Sequence, residues 1–151
     1  APLLRQWLAG NHVVLLDRYV YSNVAFQCAK LNNTDEVNRL RDWILQLEFD
    51  YYAIPKPDLN IFLNVPFDFT RQRLTEQRTG NSRHYLQGKD DIHEKDLSFQ
   101  EKVRNIYLEQ QQFDKNFVVL NCTASNGQML KPNVISEMII KEIVSRNLIN
   151  I

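Results

Sequence analysis

The chain has 151 residues, 44% of them hydrophobic and 11% aromatic, with 18 acidic and 18 basic side chains and only four glycines and five prolines. That is one domain's length with enough apolar mass for a packed core, and it excludes a low-complexity chain. The charge balance excludes a generic nucleic-acid or membrane-surface binder, and the apolar runs are too short for a membrane span or a signal peptide.

Residues 1–10 carry Leu3, Leu4, Trp7 and Leu8 at helical spacing, with Gly10 placed to end the helix. They read as the tail of a helix. With no initiator Met, the chain is expected to be a carboxyl-terminal piece of something longer. His12–Leu16 is a continuous apolar run, as are Asn60–Val65 and Phe117–Asn121. None of the three alternates, which predicts strands buried on both faces, as in a parallel sheet covered by helices.

The first run stops on Asp17-Arg18, and Ser22-Asn23 then opens a predicted helix. The carboxyl end of a buried strand is where α/β proteins place ligands. A carboxylate there can take a proton or a Mg²⁺-bound water, and a guanidinium can grip a phosphate. The plainer alternative is a surface ion pair. No Gly-x-x-x-x-Gly-Lys-Ser/Thr loop occurs anywhere in the chain.

Asp35–Tyr52 predicts a helix through Val37, Leu40, Trp43, Ile44 and Leu47, stopped by the Pro55-Lys56-Pro57-Asp58 turn. Phe67–Gln77 predicts a shorter one. Asp91–Phe113 is the clearest helix, with Phe99, Val103, Ile106, Gln110 and Phe113 on one stripe and Asp91 with Glu94 as a capping box. Ser125-Asn126-Gly127 is a turn, and Pro132 opens the last helix. Between these lies Arg71–Lys89, which holds Arg71, Arg73, Arg78, Arg83 and Lys89 against Glu76 alone. It reads either as a basic lid over a polyphosphate or as a solvated charged face. Cys28 and Cys122 lack metal-ligand spacing and read as buried, reduced thiols of a cytoplasmic protein, with a single disulfide as the alternative. His12, His84 and His93 have no partner spaced for a metal site.

Three segments carry a resemblance. Asp17-Arg18-Tyr19-x-x-Ser22-Asn23-x-Ala25-Phe26-Gln27 is similar to the Asp-Arg-Tyr/His motif of thymidylate kinases. Ile54-Pro55-Lys56-Pro57-Asp58-Leu59 with Ile61–Val65 resembles that family's entry to its next strand. Asp91–Asp96 with Phe99–Arg104 and Tyr107 resembles the helix after its lid. The three occur in the family's order and span most of residues 1–147.

The resemblance implies an α/β fold: a three-layer parallel sheet flanked by helices, of P-loop kinase type and incomplete at the N-terminus. It implies a single domain over 1–151, a lid-like loop over 78–90, and phosphoryl transfer from ATP to thymidine 5′-monophosphate with Mg²⁺. Asp17 would hold the Mg²⁺ water shell or orient the acceptor phosphate, and Arg18 would bind that phosphate. Ser22, Asn23 and Gln27 would face the thymine, since an amide can read a pyrimidine edge with donor and acceptor together. Phe26 would pack on the sugar and crowd a 2′-hydroxyl. Tyr107 would lie near sugar or base, and Arg73, Arg78 and Arg83 would be lid cations. From the residues alone, Asn23 and Gln27 could be an exposed helix face, and Phe26 and Tyr107 ordinary core. The family's phosphate loop and its strand have no match here, so this stretch alone is expected to lack kinase activity. A homodimer is implied, with Trp7, Trp43 and Phe49 as candidate surface or, equally, core. The alternatives are a kinase for another deoxynucleotide and a non-catalytic nucleotide-binding module.

Overall fold

The computed structural model describes residues 2–76 and 97–149. The lid-like loop 78–90 with Arg78 and Arg83, and the Asp91–Glu94 capping box, lie outside the described residues. For residues 73–76 the backbone is helical, and the side chain of Arg73 falls outside the description too.

The described residues form six α-helices and two strands. Helices α1 (Pro2–Ala9), α2 (Val20–Cys28) and α3 (Thr34–Leu45) come first, and a π-helical turn, Gln46–Tyr51, continues α3. Strand β1 (Asn60–Asn64), α4 (Phe67–Glu76), α5 (Leu97–Gln110), β2 (Phe117–Asn121) and α6 (Pro132–Ser145) follow. The strands pair in parallel, in a register that sets Asn60 opposite Phe117 and Asn64 opposite Asn121. Helix α5 crosses back between them and packs on β1, as a parallel pair requires.

Helix α2 is the centre of the core. Val20, Val24, Ala25, Cys28 and Ala29 pack with Ile44 of α3 and with Val103 and Ile106 of α5. Phe26 faces Phe99 near the start of α5, whereas Tyr21 reaches Phe117 and Asp114 beyond its end, so α2 and α5 run antiparallel. Helix α3 opens on Asn33, whose Oδ1 accepts from the backbone N–H of Asp35 (2.9 Å) and Glu36 (3.2 Å). Both carboxylates of that first turn face the positive end of the helix dipole.

Several expectations are corrected. His12–Leu16 is not a strand: it pairs with no described strand, and Val13 and Leu15 are 75% and 89% exposed. An apolar run forms a strand only where a neighbour takes its N–H and C=O groups, and β1 and β2 find each other instead. Helix α2 begins at Val20, two residues before Ser22, with no side-chain cap. At the end of α1 the left-handed position falls on Asn11 (φ 55°) rather than Gly10, which asparagine's short polar side chain tolerates. Of the two readings of Trp43, surface and core, the structure takes the first: it is exposed on the outer side of α3. Phe113 lies beyond the end of α5, where its ring covers the buried Arg41 guanidinium at 3.8 Å.

Candidate functional site

The predicted contact residues of α2 sort onto one side of that helix. Val20, Tyr21, Val24, Ala25 and Cys28 turn inward, which leaves Ser22, Asn23, Phe26 and Gln27 on the outward side. A 3.6-residue period makes this division obligatory once 20, 24 and 28 are core. Asn23 and Gln27 are exposed, and Ser22 and Phe26 half-buried. Gln27 Oε1 accepts from Lys30 Nζ at 2.9 Å.

Asp17 and Arg18 form the turn into this helix. Arg18 has φ 69°, a left-handed backbone that costs a side-chain-bearing residue roughly 1–2 kcal/mol. Its guanidinium carbon sits 4.6 Å from the centroid of the Phe26 ring, a cation–π contact that lays the charge along the outward side of α2. Phe26 in turn meets Phe99 of α5 at 6.1 Å. Asp17 and Arg18 do not pair with each other, and neither has an ion pair among the described residues. Both are exposed. The turn is held by its next residue: the Tyr19 hydroxyl donates to the Pro55 carbonyl at 3.1 Å, which ties the Asp-Arg-Tyr segment to the proline turn before β1. Burial, with the Glu48 carboxylate adding to it, pushes that phenol above its usual range and keeps it a donor.

Tyr107 stands apart from this group. Its ring stacks on Phe62 of β1 at 4.6 Å and 8° and lies 6.5 Å from Phe117. Along α5 it is about 12 Å from Phe99, at 1.5 Å per residue. The structure therefore brings Arg18 and Phe26 together, sets Ser22, Asn23 and Gln27 beside them, and holds Tyr107 between helix and sheet.

Sequence reasoning missed two features. One is the Tyr19–Pro55 tether, for which the sequence carries no signal beyond the tyrosine itself. The other is a polar cluster where both strands end: Asn64 Oδ1 accepts from Arg104 Nε at 2.9 Å, and Asn64 Nδ2 donates to Asn121 Oδ1 at 2.7 Å. An asparagine closing each apolar run was the available signal. A separate cleft of about 260 Å³ opens at the opposite edge of the sheet, where the segments entering β1 and β2 meet Tyr21 and Phe49. Among the described residues, no group of three His, Cys, Asp or Glu side chains is placed to hold a metal ion. A lone exposed carboxylate such as Asp17 suits Mg²⁺ only in the form in which that ion keeps waters and takes phosphate oxygens as its other ligands.

Comparison with known proteins gives these positions a context. The family model described as Thymidylate kinase matches residues 2–131. A thymidylate kinase of Mycobacterium tuberculosis (strain ATCC 25618 / H37Rv) is 30% identical over 103 residues, covering 66% of this chain and 44% of that protein. One from Fervidobacterium nodosum is 25% identical over 122 residues, covering 80% and 53%. A probable thymidylate kinase of Pyrococcus abyssi is 33% identical over 118 residues, covering 78% and 48%. The chain thus spans about half the length of the curated relatives it matches.

Proposed function

Because the chain belongs to the thymidylate kinase family, we propose that the full-length protein transfers the terminal phosphoryl group of ATP to thymidine 5′-monophosphate, giving ADP and thymidine 5′-diphosphate. The observation that carries the reading is the Arg18–Phe26 pair. A guanidinium held on a strained turn, free of any carboxylate among the described residues, lies over an aromatic ring on the same helix side as Ser22, Asn23 and Gln27. Strain of this kind persists where the surroundings hold it and clusters at ligand sites.

In this proposal Arg18 leaves the Phe26 face to grip the acceptor phosphate by paired N–H donors. Phe26 then offers its ring to the sugar and crowds a 2′-hydroxyl. Asn23 and Gln27 read the pyrimidine edge, with Ser22 beside them, and Tyr107, stacked on Phe62 between α5 and β1, supports the fold behind the site instead of lining it. Asp17 orients the acceptor or holds the water shell of Mg²⁺. When bound, that ion neutralises charge on the transferring phosphoryl group. Arg73, Arg78 and Arg83 are proposed as cations over the donor nucleotide. The same reading carries the three-layer parallel sheet of P-loop type, a homodimer and a cytoplasmic location. Among the described residues no helix is long and apolar enough to cross a membrane. It also holds that residues 1–151 alone turn over no ATP, since they contain no phosphate-cradling Gly-Lys loop.

The test is a coupled ADP-release assay on the full-length protein with thymidine, deoxycytidine and deoxyguanosine monophosphates. Turnover is expected with the thymidine nucleotide, and none with residues 1–151 alone. Absence of turnover with every acceptor overturns the kinase reading, and preference for another base overturns the assigned substrate.

A further inference from the structure

The carboxyl edge of the sheet holds a cluster that the acceptor contacts do not use. Asn64 ends β1, Asn121 ends β2, and the two sit opposite each other in the ladder. The Asn64 carboxamide spends its oxygen on Arg104 Nε and an N–H on Asn121 Oδ1. The acceptors of the cluster are thereby engaged, and its donors remain. Arg104 keeps the N–H groups of both terminal nitrogens, and Asn121 keeps its side-chain NH₂. Among the described residues no carboxylate lies within 4.0 Å of the Arg104 guanidinium.

Among the described residues nothing neutralises this half-buried guanidinium, and partial burial strengthens the field of its charge. An asparagine at 64 orients the arginine as an aspartate would, yet leaves its charge intact. The planar fork that remains matches the geometry of phosphate oxygens. It stands where two parallel strands end, the edge at which open α/β sheets bind ligands.

We propose that Arg104 and Asn121 bind a phosphate oxyanion at this edge, with Asn64 as a positioning residue that aims the guanidinium. The assignment rests on the kinase reading only for where the phosphate comes from: the donor nucleotide carries one, and free inorganic phosphate is the other source of the same chemistry.

The experiment is titration calorimetry of the full-length protein with ATP and, separately, with inorganic phosphate. Arg104→Gln removes the charge, and Asn64→Asp supplies a carboxylate that neutralises it while keeping the bond from Arg104 Nε, the Asn121 amide turning its NH₂ to the new oxygen and so away from the anion. Each substitution is expected to weaken binding about tenfold, the scale of a charge-assisted contact. Asn64→Asp is also expected to keep or raise the melting temperature, which separates loss of the anion from loss of the fold. Weakened ATP binding assigns the site to the nucleotide, and weakened phosphate binding alone assigns it to the free ion. Affinities within about twofold of wild type for both ligands and both variants overturn the proposal, as does a wild type that binds neither ligand. Because binding is read without turnover, a failed kinase assay and a failed anion site give different results.

Discussion

The two sides of α2 have opposite jobs on the same nine residues. The inward side, Val20 to Cys28, is packed between α3 and α5. The outward side carries Ser22, Asn23, Phe26 and Gln27, and the strained Arg18 folds back over it. Inward positions contribute burial, whose worth scales with area and tolerates no charge. Asn23 and Gln27, exposed on the outward side, contribute little to stability and are free to meet a ligand, whereas Phe26 also packs against the core and Phe99. One helix thus anchors the fold and presents the candidate site, so substitutions on its two sides should separate cleanly into stability and activity.

The largest effect is expected from Val24→Asp. Val24 is fully buried in the cluster, and an unpaired carboxylate there should cost more than about 4 kcal/mol. Thermal unfolding followed by circular dichroism should show the cooperative transition lost or lowered by tens of degrees. A melt within a few degrees of wild type would break the division of the helix into two sides. Next comes Arg18→Gln in the full-length protein, expected to lower kcat/KM for thymidine monophosphate about 100-fold with the melting temperature unchanged. Arg18→Gly sharpens the same point: it relieves the left-handed backbone, so the fold should gain about 1 kcal/mol while activity falls. Equal losses of stability and activity in both variants would make Arg18 a packing residue.

Tyr21→Phe probes the inward side more gently. The Tyr21 hydroxyl donates to Asp114 Oδ2 at 2.8 Å, and burial together with that bond holds the phenol well above its ordinary 10. Its loss should cost about 1–2 kcal/mol in urea unfolding, with the slope unchanged. The last test is a pH dependence, which leaves stability at neutral pH untouched. Burial raises the Cys28 thiol from 9.0 to about 11. The unfolded chain therefore loses this proton at lower pH than the folded one. The contribution is complete below pH 9 and is lost as pH rises towards about 11. Cys28→Ala should flatten urea-unfolding stability across that window, and an unchanged slope would show that the thiol is not buried in solution.

Much of this was legible beforehand for local reasons. Strands β1 and β2 stood out as β-branched apolar runs, and α6 was marked by Pro132. Residue types and order marked the Asp-Arg-Tyr segment as a candidate ligand turn, and the structure makes it the turn into α2. What escaped depended on partners distant in the chain. His12–Leu16 has the composition of a strand and no described neighbour to pair with. Phe113 has the spacing of a stripe residue and caps Arg41 from beyond the helix. Tyr107 was equally suited to core or ligand, and its stack on Phe62 depends on how α5 crosses β1.

The sequence by itself determined most of the helical segments, the two strands that pair and the residue chemistry offered at Asp17-Arg18, because periodicity and residue type act over a few positions. Only the tertiary structure decided that Arg18 lies on Phe26, that Tyr19 is tied to Pro55, and that Asn64, Asn121 and Arg104 meet. These contacts join residues as far apart as 57 positions, and no local rule encodes a distance that chain folding alone brings down to a hydrogen bond.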